Sequence, residues 1–297
     1  MSYTAAAKPI VPHPALEGLT LDQEAFVNLL RKLISESEHV QNNPGQLVPE
    51  EGRIAKHVVD ELRPFSTEAG GPLKVELLEY VKNRPNVKIT YPGKTDKTVG
   101  IIGSHMDVVP ANPESWKRNP FELTIEGDRL YGRGTTDCLG HVAMITRLMA
   151  DLAKAKPELE RTIVVLFIAG EEGGEDGVGV DMVVKHGEID LLRNGPVFWV
   201  DSSDSQPCIG TAGSLPWTLE VKGRLFHSGL PHLAINSLEL AMEASKEIQR
   251  RFYEDFPAHP QEEKYNFATP STMKPTQVEC SKGATNQIPA WTKVGTT

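Results

Sequence analysis

The amino-acid sequence predicts an α/β protein, a mixed and mainly parallel sheet with helices on both faces, followed by a smaller α+β unit. Three observations predict it. Short continuous apolar runs occur at 98–103 (TVGIIG), 162–169 (TIVVLFIA) and 196–200 (PVFWV), each too short for an amphipathic helix. Segment 141–155 (HVAMITRLMADLAKA) lies between the first two, with apolar residues on a helical period, and 181–192 (DMVVKHGEIDLL) lies between the second and third. Fully apolar strands alternating with helices indicate a parallel sheet covered on both sides. From about residue 213 the texture changes to strand-like alternation in LPWTLEVKG (215–223). A long helix over 234–252 and a further strand within 271–280 complete this second unit.

Taken in order, residues 1–19 hold Pro9, Pro12 and Pro14 and are expected to form a flexible tail. Thr20 with Gln23 has the capping-box spacing. Phe26, Leu29, Leu30, Leu33 and Ile34 then recur at helical intervals, which predicts a helix over 21–37. EEGRIAKHVVDELR (50–63) predicts a second helix, ended by Pro64.

The chain has 297 residues, with 31 Lys and Arg against 40 Asp and Glu, a net charge of −9. That balance argues against a nucleic-acid binder that neutralises phosphates with basic side chains. No stretch approaches the ~20 apolar residues of a membrane span. Cys138, Cys208 and Cys280 are scattered and odd in number, which speaks for a reducing compartment, the cytoplasm, rather than a disulfide scaffold. No GxSxG, HExxH or phosphate loop is present, so serine hydrolases and nucleotide chemistry find no support.

In sheets of this kind ligands gather beyond the carboxyl ends of the strands. Here each apolar run empties into ligand-type residues: His105 and Asp107 after the first, Glu171 and Glu172 after the second, Asp201 and Asp204 after the third. Residues two apart in a strand tail face the same side, so Asp107 can hold one ring nitrogen of His105 and leave the other for a metal. In YGRGTTDCLGH (131–141), Asp137 precedes a helix, where it serves either as a bridging carboxylate or as a plain helix cap. Adjacent carboxylates at Glu171 and Glu172 repel each other; a cation bound by one, with the other accepting a proton from water, would offset this. The plainer reading is a solvated acidic loop, since Glu175 and Asp176 follow. Together His105, Asp137, Glu172 and Asp201 make a mixed N/O set suited to zinc, or to cobalt or manganese. Asp204 is the rival of Asp201, which is preferred because it directly follows Val200.

The motifs HMDVV, GRGTTDCLGH, the EE pair and WVDSSD resemble those of the M20 metallopeptidases, a family of co-catalytic zinc aminoacylases and deacetylases. QNNPGQLVPEE, LFHSGLPHLAINSLELAM and FATPSTMKPTQ resemble, more narrowly, its acetylornithine deacetylase branch. The resemblance runs from about residue 20 to Pro289. It implies that His105 and Asp201 bind one metal ion, that Asp137 bridges, that Glu172 binds a second ion, that Glu171 is the general base and that Asp107 orients His105. It also implies a cis peptide at Asp137–Cys138. His227 in LFHSG matches a lid histidine that reaches the partner subunit's active site and polarises the scissile carbonyl, and Asn286 in NQIP matches a residue near substrate. The implied fold is a zinc-peptidase-like catalytic domain over 20–212 with a partial ferredoxin-like lid and dimerisation domain over 213–289. The implied activity is metal-dependent hydrolysis of a small N-acyl amino acid, N2-acetyl-L-ornithine foremost, by a homodimer. An aminoacylase, a desuccinylase or a dipeptidase of the same family is the neighbouring expectation.

The family pattern continues past NQIP to a distant histidine that completes the second metal site, whereas residues 290–297 (AWTKVGTT) are expected to be a tail outside it. A truncated member, inactive or confined to one metal ion, is therefore the competing expectation.

Overall fold

The computed structural model describes residue 16 and residues 19–42, 47–202, 213–265, 267 and 269–296. Internal contacts divide the chain into two units, Met1–Asp204 and Ser205–Thr297. The tail at 1–19 falls almost wholly outside the described residues, as do Asp204 and Cys208.

The first unit runs α1 (Gln23–Ser35), α2 (Gly52–Leu62), β1 (Lys74–Glu79), β2 (Pro85–Tyr91), β3 (Thr98–Ile102), β4 (Thr124–Glu126), β5 (Arg129–Tyr131), α3 (Leu139–Ala155), β6 (Thr162–Phe167), α4 (Val180–Lys185) and β7 (Val197–Trp199). Five strands form one sheet in the order β1-β2-β6-β3-β7, while β4 and β5 pair as a separate hairpin. β3 runs parallel to β6 and β7, and the β1–β2 and β2–β6 pairs are antiparallel. The parallel half is built from the three apolar runs. The antiparallel half escapes pattern reading because β2 interleaves Val87 and Ile89 with buried Asn86 and Lys88. Lys88 reaches Glu188 at 2.6 Å, so its charge is paired.

Successive β6 residues face opposite sides. Val165 and Phe167 join the core formed with Leu29, Leu33, Val58 and Met149 of α1, α2 and α3. Val164 and Leu166 pack with Val183 and Leu192 on the other face. Both sides are dry, which is why this strand reads as an unbroken apolar run.

Two local expectations are corrected. The N-cap of α1 is Asp22, not Thr20, because its carboxylate accepts the Ala25 N–H at 3.0 Å. The 181–192 segment breaks into α4 and a 3-10 turn at Asp190–Asn194, with Gly187 at φ +70 between them.

The second unit contains β8 (Trp217–Lys222), α5 (Ser237–Asp255), α6 (Pro260–Tyr265), β9 (Pro275–Cys280) and β10 (Trp291–Thr296). Its three strands pair antiparallel in the order β8-β10-β9. The residues expected as a tail thus supply the central strand. Thr292, Lys293 and Gly295 break up their apolar pattern; pairing on both sides and the burial of Thr292 and Val294 hold them. Asn236 caps α5 by accepting from Leu238 N and Glu239 N. Among the described residues, no helix is long and apolar enough to cross a membrane, and Cys138 and Cys280 are free thiols.

Candidate metal centre

The site grows out of the carboxyl ends of β3, β6 and β7. Beyond β3 the parallel pairing with β6 continues: Ile168 N donates to Ser104 O, Met106 N to Ile168 O and Asp107 N to Ala169 O. Gly103, at φ +101, lets this extension shift its register by one residue, so that His105 lies opposite Ile168. A Cβ at 103 would come within 2.8 Å of the Trp199 indole. On the other side Val200 N donates to Ile102 O, and Ser104 Oγ donates to Val200 O, which carries Asp201 up beside His105.

Asp107 is fully buried and satisfied on both oxygens. Oδ1 lies 3.1 Å from His105 Nδ1 and accepts Glu171 N–H at 2.9 Å, while Oδ2 accepts Glu172 N–H and Asn42 Nδ2–H, both at 3.1 Å. One carboxylate therefore orients the imidazole and fixes the backbone of both glutamates. With Nδ1–H directed at Asp107, Nε2 is the nitrogen that faces the site.

Around Nε2 the structure gathers Asp137 Oδ1 at 2.9 Å and Asp201 Oδ1 at 3.8 Å. One potential ligand atom each from His105, Asp137, Cys138 and Asp201 falls within 4.8 Å of all the others. Asp137 does not cap α3; the N-cap position is Cys138, which makes no side-chain cap bond. Instead Asp137 Oδ2 accepts Ser202 Oγ–H at 3.1 Å, and the peptide Asp137–Cys138 is cis. Trp199 Nε1 and Ser202 N both donate to Asp201. The Cys138 Sγ accepts the His105 backbone N–H at 3.2 Å from below. An imidazole already held from behind and two carboxylates turned toward its free nitrogen have the donor chemistry of a divalent cation site.

The electrostatics agree. Burial alone would lower the His105 pKa, but hydrogen bonds to Asp107 and Cys138 outweigh it and push the imidazole up to about 12. Burial, then the charge of Asp137, pushes Glu172 up to about 7. Glu171 is raised for the same leading reason, with Asp201, Asp107 and Asp137 adding to it and His105 opposing. Five carboxylates, Asp107, Asp137, Glu171, Glu172 and Asp201, thus crowd one imidazole, an excess of negative charge that a cation would relieve. Glu172 stands outside the tight group of four.

In the second unit, His227 and Asn286 are neighbours, with Asn286 Nδ2 3.4 Å from His227 Nε2. The Gly229 N–H donates to Nδ1 at 3.0 Å. Ser228 N donates to Asn286 O, so the two loops are tied by backbone as well.

Sequence reasoning did not identify Asn42, Glu51, Arg84 or Asn86. Asn42 bonds Asp107 and packs so closely on Gly173 that a Cβ there would lie 2.3 Å from its amide. Asn86 accepts Ala169 N–H at 2.9 Å and donates to Val178 O at 2.8 Å. Arg84 and Glu51 form a buried ion pair at 2.7 Å. The signal present was the string QNNPGQLVPEE, which contains Asn42 and Glu51.

Residues 101–204 match peptidase family M20/M25/M40, and residues 209–295, most of β10 included, match a peptidase dimerisation domain. Acetylornithine deacetylase of Arabidopsis thaliana is 57% identical over 273 residues, 91% of this chain and 62% of that protein. Acetylornithine deacetylase of Dictyostelium discoideum is 49% identical over 280 residues, again 91% and 62%. The chain therefore spans about 62% of the length of these curated relatives. Among solved structures, human carnosine dipeptidase 1 is similar in fold, with a TM-score of 0.66 at 17% identity over 92% of this chain and 69% of that one.

Proposed function

The chain belongs to peptidase family M20, and on that premise we propose that it is a metal-dependent amidohydrolase that converts N2-acetyl-L-ornithine to L-ornithine and acetate. The observation that carries this reading is the convergence of Asp137 and Asp201 on the free nitrogen of a His105 already held by Asp107. The choice of acyl amino acid is supported by the 57% identity to a relative of that name.

His105, Asp137 and Asp201 would hold one divalent ion, zinc by donor type, and Glu172 is the candidate ligand for a second. Bound there, the ion would supply Lewis acidity and bring the pKa of water from 15.7 toward ~7. Asp107 keeps the imidazole in the tautomer that offers Nε2. Glu171, its pKa raised by burial, accepts a proton from the attacking water and returns it to the leaving amine as the C–N bond breaks. His227 donates from Nε2 to the carbonyl oxygen as negative charge gathers on it, a contribution of roughly 3–4 kcal/mol per donor. Asn286, beside that nitrogen, contacts the substrate. The match to a dimerisation domain supports a homodimer in which His227 serves the active site of the partner subunit. Scattered free thiols favour the cytoplasm.

The test is release of ornithine from N2-acetyl-L-ornithine by the purified chain supplied with zinc or cobalt, beside N-succinyl amino acids and dipeptides. Cleavage confined to one of the latter would reassign the substrate. No turnover on any of them, with metal bound, would remove the proposed activity from this chain.

A further inference from the structure

The Glu171–Glu172 turn is gripped from beneath by side chains that belong to no metal ligand set. Arg84 precedes β2 and is almost wholly buried, with 1% of its side chain exposed. Its Nε and Nη2 donate to the two oxygens of Glu51, which lies at the start of α2 and is fully buried. That fork satisfies the Glu51 carboxylate and cancels its charge. The remaining arm does something else: Nη1 donates to Glu175, three residues past Glu172. Nη2 also lies 3.2 Å from the position a Cβ on Gly170 would occupy. The guanidinium therefore bonds the chain beyond the glutamate pair, at Glu175, and lies close to Gly170 before it. Asn86, two residues on and within β2, accepts from Ala169 N and donates to Val178 O, the outer ends of the same loop.

The strand register makes this possible. Val87 on β2 pairs with Phe167 on β6, so residues just before 87 lie beside those just after 167. The α2 start and the 81–84 turn are joined by Gly52 N donating to Asn83 O, which fixes Arg84 from behind.

We propose that Arg84, braced by Glu51 and acting through Glu175, is a positioning residue that sets the backbone of the Glu171–Glu172 turn. This deepens the reading of the preceding subsection and rests on it. A buried ion pair kept for stability alone would need only Glu51; the third contact, to a half-exposed loop carboxylate, is what the positioning role requires.

The test compares the full chain with Glu175→Gln and Arg84→Lys. Cobalt titration followed by visible absorbance reports affinity, hydrogen exchange of peptides spanning 170–177 reports the turn, and thermal unfolding reports the fold. Glu175 lies on the surface, so Glu175→Gln folds even where an Arg84 variant does not. The expected result for Glu175→Gln is cobalt affinity lower by about tenfold and faster exchange of the 171 and 172 amides, with the thermal midpoint nearly unchanged. Arg84→Lys, which keeps the charge and loses the fork, moves affinity further. Wild-type affinity and exchange in Glu175→Gln overturn the inference alone. A fall in thermal midpoint at constant affinity in Arg84→Lys also overturns it, leaving a structural pair. A parent chain that binds no cobalt overturns the metal-site reading and this inference with it.

Discussion

The Asp107 carboxylate accepts the backbone N–H of Glu171 at 2.9 Å, so the group that turns His105 toward the site also sets where the proposed base begins. Asp107→Asn would present an NH2 group to one of the donors that the carboxylate now satisfies. A buried donor left facing a donor costs roughly 1–3 kcal/mol. The expected outcome is a lower thermal midpoint together with metal affinity reduced by about 10- to 100-fold, measured by equilibrium dialysis. An unaltered metal affinity would refute the orienting role.

Glu171→Gln keeps the shape of the turn and its backbone bonds to Asp107, and removes only the proton acceptor. Turnover should fall by roughly 10²–10⁴-fold while metal content, read by elemental analysis, stays at the parent value. Retention of the parent rate would assign the base elsewhere.

Protonation of the metal-free site carries a sign. His105 titrates at about 12 in the folded chain against 6.5 in the unfolded one, so the stability it contributes is complete below 6.5 and declines as pH rises toward 12. Glu172 at about 7 against 4.5 acts in the same direction, since the folded chain holds the extra proton between those values. Chelator-treated protein should therefore lose stability through these groups from pH ~5 to pH ~8. Cation binding at pH ~7 should release about one proton from His105 and a fraction from Glu172, measurable by calorimetry in buffers of different ionisation enthalpy. Binding without proton release would contradict this account.

Gly103→Ala combines a strained φ of +101 with a Cβ only 2.8 Å from the Trp199 ring. Trp199 donates to Asp201, so displacement of the indole reaches the site. A destabilisation of roughly 1–3 kcal/mol in denaturant unfolding is expected, with weakened metal binding. Stability equal to the parent would show that the backbone at 103 is not constrained.

Removal of residues 290–297 would take β10 from between β8 and β9 and strip Ser237 of its contact with Thr292 Oγ1. Limited proteolysis should then cut within 213–289 while the first unit stays resistant. Unchanged resistance of 213–289 would deny β10 its central role.

The parallel half of the sheet was legible because β3 and β6 are buried on both faces and β7 continues the same order, leaving no polar alternation to confuse with a helix. The residues now seen around the imidazole were legible for the related reason that each directly follows one of those runs or a glycine-rich turn. Asn42, Arg84 and Asn86 were not. Each is a polar residue whose purpose is set by a partner 65 to 92 positions away, and pairing across such distances leaves no periodic trace. β1 was hidden by its charged face and β10 by the polar residues and the glycine that interrupt its apolar ones. The cap of α1 moved by two residues because Thr20, Asp22 and Gln23 offer overlapping capping chemistry, and geometry chose the aspartate.

β7 lies at the rim of its sheet, and Val197, Phe198 and Trp199 are each about half exposed. Asp201 hangs from that rim, whereas His105 grows from an interior strand. An ion shared by the two would act as a rivet between the outermost rung and its neighbour, and chelation would withdraw it. The loosened rung would bare three bulky apolar side chains and a row of unpaired amides, the ingredients of sheet-to-sheet self-association. Metal starvation should therefore first show itself as clumping, ahead of any loss of helix content.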